Sequence, residues 1–465
     1  MTKQDTIITG DPPSWRMILA LAWPAVVEQF LQTIVNYVDT AMVGSIGVDA
    51  TAAVGLSTSV IWLIFGLMHA VGVGFSVLAA HQIGAGRLEE AKHIIRQAVL
   101  SIFVVGGLLS VLMVFGLAPR LPVWMNADPE IIPLATSYLQ IFGSVYVFHM
   151  AVVVCSSILR CAGDTKTPMR FNLVTNIINV VANFMLIYPT TQFTLFGHTV
   201  YLYRADLGVT GAALATAGAT AFTGIRMLFV LFRRTSPIQI SLKESFRPDQ
   251  ATIRQAARLG FPAAMERMTI SLGHLASTVM ITGLGKVSLA AHQLASTGES
   301  LCFMPAGGFA LAATSLVARY LGAGRQEDAI LCAKWCFRLA VSVMIACSTL
   351  MYLFSVPIID LFSNDLHAIE LGARMLRIEA FAEPFLAIGM VAGGVFQGSG
   401  DVRWSALISL LGIWAVRIPS IMIMLYYFHW DLSAVWVAMI FDWVIRATVS
   451  LIHFRRRTWI RVLSA

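Results

Sequence analysis

Asp39 has the strongest claim to chemistry in this 465-residue chain. It lies fifteen residues beyond Pro24 in an apolar stretch, about 22 Å along a helix. A carboxylate at membrane depth is costly to insert unless it faces a cavity or a partner. Asn179 and Asn183 stand at i and i+4 in a later apolar stretch and so share one helix face. One carboxylate with two amide oxygens makes a hard-oxygen set suited to a small monovalent cation, and the same carboxylate would equally serve a proton. The competing readings are a carboxylate satisfied by neighbouring helices and an interhelical amide clamp.

The second half carries acids of its own, Glu299, Glu379 and Glu383. All three are candidates for a wet cavity, Glu299 and Glu379 the better ones because they are expected nearer the outer half, while Glu383, Arg417 and Asp442 fall near mid-depth. An arginine at that depth demands an acid, so Arg417 is expected to pair structurally with Asp442 or Glu383.

The chain supplies its own control, because its first half recurs in its second. At an offset of 238 residues Pro24 falls on Pro262, Glu28 on Glu266, and Gly84-Ala85-Gly86-Arg87 on Gly322-Ala323-Gly324-Arg325. After one deletion Gly163-Asp164 meets Gly400-Asp401. Polar residues present in both halves read as scaffold, and those private to one half as candidates for chemistry. Asp39 meets Ser277, Asn179 meets Val416 and Asn183 meets Ser420, so all three are private. Pro24 and Pro262 interrupt the helix ladder at equivalent points, each with a glutamate one turn later. That shared set, Pro24, Glu28, Pro262 and Glu266, reads as hinge or gate.

The elements that must position these residues are membrane helices. Hydrophobic residues make up 57% of the chain and charged residues 12%, about half the charge of a soluble domain. Long apolar stretches give twelve spans near 15–43, 50–82, 94–118, 131–159, 169–188, 207–232, 255–283, 288–320, 329–356, 368–397, 404–428 and 432–454. The expectation is an all-α polytopic membrane protein with twelve transmembrane helices in two pseudo-symmetric six-helix lobes. Residues 1–235 form the first lobe, 236–254 a cytoplasmic linker, and 255–465 the second lobe. An even number of spans per half relates the lobes by an axis along the membrane normal. A break from Pro189 to about Leu207 suggests a small hairpin on the outer side.

The net charge of +7 is not a nucleic-acid signal. The basic residues gather in alternate connections, from Arg87, Lys92 and Arg96 to the closing Arg455-Arg456-Arg457. That is the positive-inside pattern, with both termini cytoplasmic. No cleavable leader pattern opens the chain. The six cysteines fall in or beside apolar spans and read as small buried residues. The Gly-Ala-Gly-Arg turns lack a Walker lysine-hydroxyl ending and read as helix stops. Neither a Ser/His/Asp set nor zinc-ligand spacing points to an enzyme.

Taken together, several motifs resemble the multidrug and toxic compound extrusion (MATE) transporters across essentially the whole chain. They are Asn36-Tyr37-Val38-Asp39-Thr40-Ala41-Met42-Val43-Gly44 after Pro24, the Gly84-Ala85-Gly86-Arg87 turn, Leu159 through Pro168, and Gly208 through Thr216. The resemblance implies alternating access and export of organic, often cationic, or lipophilic compounds against inward Na+ or H+, with no other cofactor. It also implies a multi-pass monomer in a bilayer, a bacterial inner membrane being the expected one. Asp39 matches the family's span-one coupling aspartate, Asn179 and Asn183 its span-five polar pair, and Thr216 with the Ala212 carbonyl its span-six contribution. The second lobe departs from the pattern, with Ile270 where some relatives carry a coupling glutamate. The rival is a flippase for lipid-linked precursors of the same superfamily, which would need a strongly basic cavity.

Overall fold

A computed structural model describes residues 12–195, 198–202, 204–233, 238–241, 244, 246–363 and 365–460. Twelve spans in two lobes make up the fold. The first lobe holds α1 (Trp15–Gly44), α2 (Val48–Gly84), α3 (Leu88–Leu117), α4 (Ile131–Ser144 with Tyr146–Cys161), α5 (Lys166–Leu186) and α6 (Gly208–Phe232). The second holds α7 (Gln250–Thr282), α8 (Lys286–Gly322), α9 (Gln326–Leu353), α10 (Leu366–Glu379 with Glu383–Gly398), α11 (Val402–Tyr427) and α12 (Ser433–Arg455). Two spans are broken at equivalent places, α4 by 52° and α10 by 57°.

Eight spans are long and apolar enough to cross a membrane as single helices, and the two bent pairs raise the number to ten. The remaining two are α5 and α7, the spans richest in polar residues. Asn172, Asn176, Asn179 and Asn183 line α5, while Arg254, Arg258, Glu266 and Arg267 sit on α7. Polar groups here displace apolar ones where helices face each other or water, which is where a transporter's chemistry belongs. Both α1 and α7 run as continuous helices through Pro24 and Pro262.

The two apolar cores follow the lobes except that Ile18 and Ala22 of α1 join the second, and Ala256, Leu259 and Ala263 of α7 and Val402 of α11 join the first. The lobes pack α1 on α8 and α2 on α7, and their tightest backbone approach is where α2 crosses α8 at the end rich in arginine. Gly84 lies against the Arg319 carbonyl, and Gly322 lies against the His81 carbonyl. These are equivalent positions of the repeat, so the crossing is symmetric. Backbones can approach this closely only because no side chain intervenes. Just beyond, Gly86 and Gly324 take φ of 74° and 73°, and Arg87 and Arg325 donate back to Gln82 and Tyr320 at 2.9 Å. Both are Schellman helix stops. Two polar bonds reinforce the seam, from His81 Nε2 to the Gly398 carbonyl at 3.0 Å and from Ser315 Oγ to the Arg160 carbonyl at 2.8 Å.

The connection between the lobes is strapped to α3. Gln97 donates to the Arg247 carbonyl at 2.8 Å and accepts from the Asp249 amide at 3.0 Å, while Arg96 pairs with Glu244. At the opposite end Thr191–Leu195 and His198–Leu202 form an antiparallel hairpin. All six cysteines are free.

Candidate functional site

Five residues from three helices of the first lobe form one connected chain. Asn183 Nδ2 donates to Asp39 Oδ1 at 2.6 Å and to Asn179 Oδ1 at 3.2 Å. Asn179 Nδ2 donates to Thr216 Oγ1 at 3.0 Å, and Thr216 Oγ1 donates to the Ala212 carbonyl at 3.1 Å. The i, i+4 spacing puts both asparagines on the face of α5 that meets α1 and α6. Asn179 and Asn183 are buried, while Asp39 is half-buried. The carboxylate therefore faces neutral amide donors, and among the described residues no cation pairs with it. Asn183 Oδ1 is buried with no hydrogen-bond partner among the described residues. An orphaned amide oxygen beside a carboxylate is an acceptor set that a Na+ ion would complete. The same donor set fits a proton on Asp39, bonded outward through its neighbours.

The shared glutamates are held by residues that the sequence did not single out. Glu28 accepts from Arg160 at 3.1 Å on both oxygens and from Asn172 Nδ2 at 2.7 Å. Its repeat partner Glu266 accepts from Ser405 at 3.0 Å on both oxygens and from Ser409 at 3.0 Å. Asn172 and Ser409 are equivalent at the 237-residue offset, so in each lobe the fifth span ties down the glutamate of the first. The arginine is not repeated, because Gln397 stands at the position equivalent to Arg160. Glu28 is accordingly buried in an ion pair, and Glu266 is half-buried among hydroxyls.

In the second lobe Arg417 lies 2.7 Å from Asp442, and Arg446 grips the same carboxylate at 2.5 and 2.7 Å. Glu383 takes no part in this cluster. Arg446 was not anticipated, although its i+4 spacing from Asp442 was a readable signal. One expectation is overturned. Glu379 and Glu383, both read as cavity candidates, are fully buried. Both flank the break between the two arms of α10; the Glu379 carboxyl oxygens have no hydrogen-bond partner among the described residues, while Glu383 lies beside the Cys302 thiol. Glu299 on α8 is half-buried.

A membrane-spanning bundle duplicated within one chain, with private polar residues converging in one lobe, is the architecture of a secondary transporter. The chain belongs to the MATE family, whose model, described as MatE, matches residues 24–185 and again 262–423. The two matches begin 238 residues apart, as the internal echo does. A relative named probable multidrug resistance protein NorM, from Thermotoga maritima, is 30% identical over 450 residues, spanning 96% of this chain and 94% of the relative. Multidrug resistance protein MdtK from Yersinia enterocolitica is 28% identical over 87% of this chain and 86% of its own length. The fold matches a solved MOP superfamily transporter from Pyrococcus furiosus with a TM-score of 0.89 at 23% identity, covering 98% of both chains. The protein is a multi-pass membrane transporter, not an enzyme.

Proposed function

We propose that this protein is a multidrug efflux antiporter, exporting lipophilic and often cationic organic compounds in exchange for Na+ or H+. Relatives named for multidrug resistance support the cargo class. The observation that carries the coupling reading is the continuous chain from Asp39 through Asn183, Asn179 and Thr216 to the Ala212 carbonyl. An ion arriving at Asp39 cancels its charge and engages Asn183 Oδ1. The hydrogen bonds along the chain then transmit that change to α5 and α6 while α1 shifts about Pro24.

By the positive-inside rule the arginine-rich end is cytoplasmic. The Gly84/Gly322 crossing then holds the lobes together on the cytoplasmic side, while Tyr37 of α1 donates to the Thr297 carbonyl of α8 in the outer half. Ion binding from outside weakens the hold on cargo and releases it outward. Reciprocal linkage requires cargo to weaken ion binding by the same factor.

The test is efflux of a fluorescent organic cation from proteoliposomes, driven separately by a Na+ or a proton gradient. Wild-type protein should respond to one of the two gradients, and Asp39→Asn should lose at least tenfold of the gradient-driven rate. Full ion-coupled efflux by Asp39→Asn would remove Asp39 from the mechanism.

A further inference from the structure

The outward face of α7 carries two arginines that neither the coupling site nor the shared scaffold uses. Arg254 and Arg258 stand one turn apart near the start of the helix and are exposed. Their side chains make no hydrogen bond or ion pair among the described residues. At steps of three and four residues the same face continues as Phe261, Met265, Met268 and Leu272, all exposed. The opposite side of the helix is buried, with Ala256, Leu259 and Ala263 in the first lobe's core. The stripe therefore faces lipid and not the seam between lobes, and the two arginines head it at its cytoplasmic end.

A second stripe lies alongside. Span α11 packs against α7, with Glu266 accepting from Ser405 and Ser409 at 3.0 Å and Gly273 set against Ile413. On α11 the exposed residues Arg403, Leu407, Leu410 and Trp414 follow the same three- and four-residue steps. The Arg403 side chain likewise makes no hydrogen bond or ion pair among the described residues. Trp404 beside it is exposed, and tryptophan is enriched at the membrane interface. Because Glu266 reaches both Ser405 and Ser409, it is level with Leu407. Arg403 then stands about 6 Å further along the helices than Arg258, and the three arginines fall in a band about 12 Å deep. Side chains of this length snorkel to headgroup level.

The repeat supplies a comparison. The corresponding corner of the first lobe holds Arg16, Lys166 and Arg170, with Ala20 in place of Arg258. By the same register Arg170 is level with Glu28, so those bases spread over about 18 Å. Arg16 is also engaged, lying 5.3 Å from the centre of the Trp15 ring. Of the two corners, the second gathers its bases into the tighter band.

We propose that the groove between α7 and α11 seats an anionic phospholipid of the cytoplasmic leaflet. Its phosphodiester lies on Arg254, Arg258 and Arg403, and its acyl chains follow the two apolar stripes. Guanidinium groups match phosphate oxygens bidentately. From Arg258 to Leu272 the α7 stripe runs about 21 Å, enough to cover one leaflet's share of a hydrocarbon core about 30 Å thick. A zwitterionic headgroup offers the same phosphate with a cation beside it, so net charge is what three arginines select. Bound there, the lipid clamps α7 to α11, the helices already joined through Glu266. This inference rests on the membrane fold and is independent of cargo and coupling ion.

The experiment titrates delipidated full-length protein in detergent with phosphatidylglycerol and with phosphatidylcholine of the same chain length, and reads bound lipid by native mass spectrometry. Wild type should hold phosphatidylglycerol at least tenfold more tightly, and the preference should narrow as salt rises. The triple variant Arg254→Gln, Arg258→Gln, Arg403→Gln should lower the preference at least fivefold. The first-lobe triple Arg16→Gln, Lys166→Gln, Arg170→Gln should keep it. If the second-lobe triple does not fold, Arg258→Gln alone should lower the preference at least threefold, and Arg258→Lys less. Equal affinity of wild type for the two lipids overturns the seat. So does a preference that survives the second-lobe substitutions, or one that falls equally with the first-lobe ones. Equally tight binding of glycerol 3-phosphate, which lacks the chains, would make this a site for free phosphate and overturn the lipid.

Discussion

Gly84 and Gly322 occupy equivalent places in the repeat, and each makes room for a carbonyl of the helix that carries the other. Adding a side chain at either would push apart two backbones with no flexible neighbour to yield. Gly84→Leu and Gly322→Leu should each cost roughly 1–3 kcal/mol of stability and widen the arginine-rich end. Spin-label distances between the ends of α2 and α8 would read this directly. An unchanged distance distribution would show that the crossing does not hold the lobes together.

The two repeated glutamates should behave differently on neutralisation. Glu28→Gln strands the Arg160 guanidinium inside the first lobe, and breaking a buried pair in this way costs roughly 3–5 kcal/mol. Glu266→Gln alters hydrogen bonds to two serine hydroxyls at a half-buried site, worth about 1 kcal/mol each. Thermal unfolding in detergent should therefore rank Glu28→Gln well below Glu266→Gln. Equal losses would mean that the Arg160 pair adds nothing to the shared scaffold.

Outside the membrane, Asp249 caps α7 and accepts from Thr252, His93 and the Ala251 amide. The Thr252 hydroxyl first, and then His93, hold its carboxyl at about 2 rather than the ordinary 3.8. A depressed value in the folded state means the contribution is complete above 3.8 and is lost as pH falls through about 2. Amide exchange at Ala251, corrected for intrinsic rate, should lose protection across that window. Asp249→Ala should show the loss already at neutral pH, and protection that is flat through acid would contradict the cap's role.

Much of this was legible in the chain. The offset that aligned Pro24 with Pro262 gave the two lobes, and treating the repeat as a control led to Asp39, Asn179 and Asn183, which the fold brings together. That worked because periodicity and privacy are properties of a linear sequence. Helix breaks are harder to read. Pro384 opens the second arm of α10, but Pro24 and Pro262 sit inside unbroken helices, so a proline alone does not announce the 57° turn, and Glu379, expected to face water, is buried. The partners of Glu28 were also hidden, because Arg160 and Asn172 come from distant spans and their convergence is a tertiary fact.

The glycine crossing has a mechanical consequence. The rod α2 runs from Val48 to Gly84, about 55 Å, and its close approaches to the other lobe run from Gly84 back to Gly66. The remaining stretch, about 27 Å, extends beyond them as an arm. Tilting that arm by ~10° about Gly66 would sweep its far end through ~5 Å, given that length, while the held half scarcely moves. Small changes of packing along the held half are thereby geared up into movement at the other mouth.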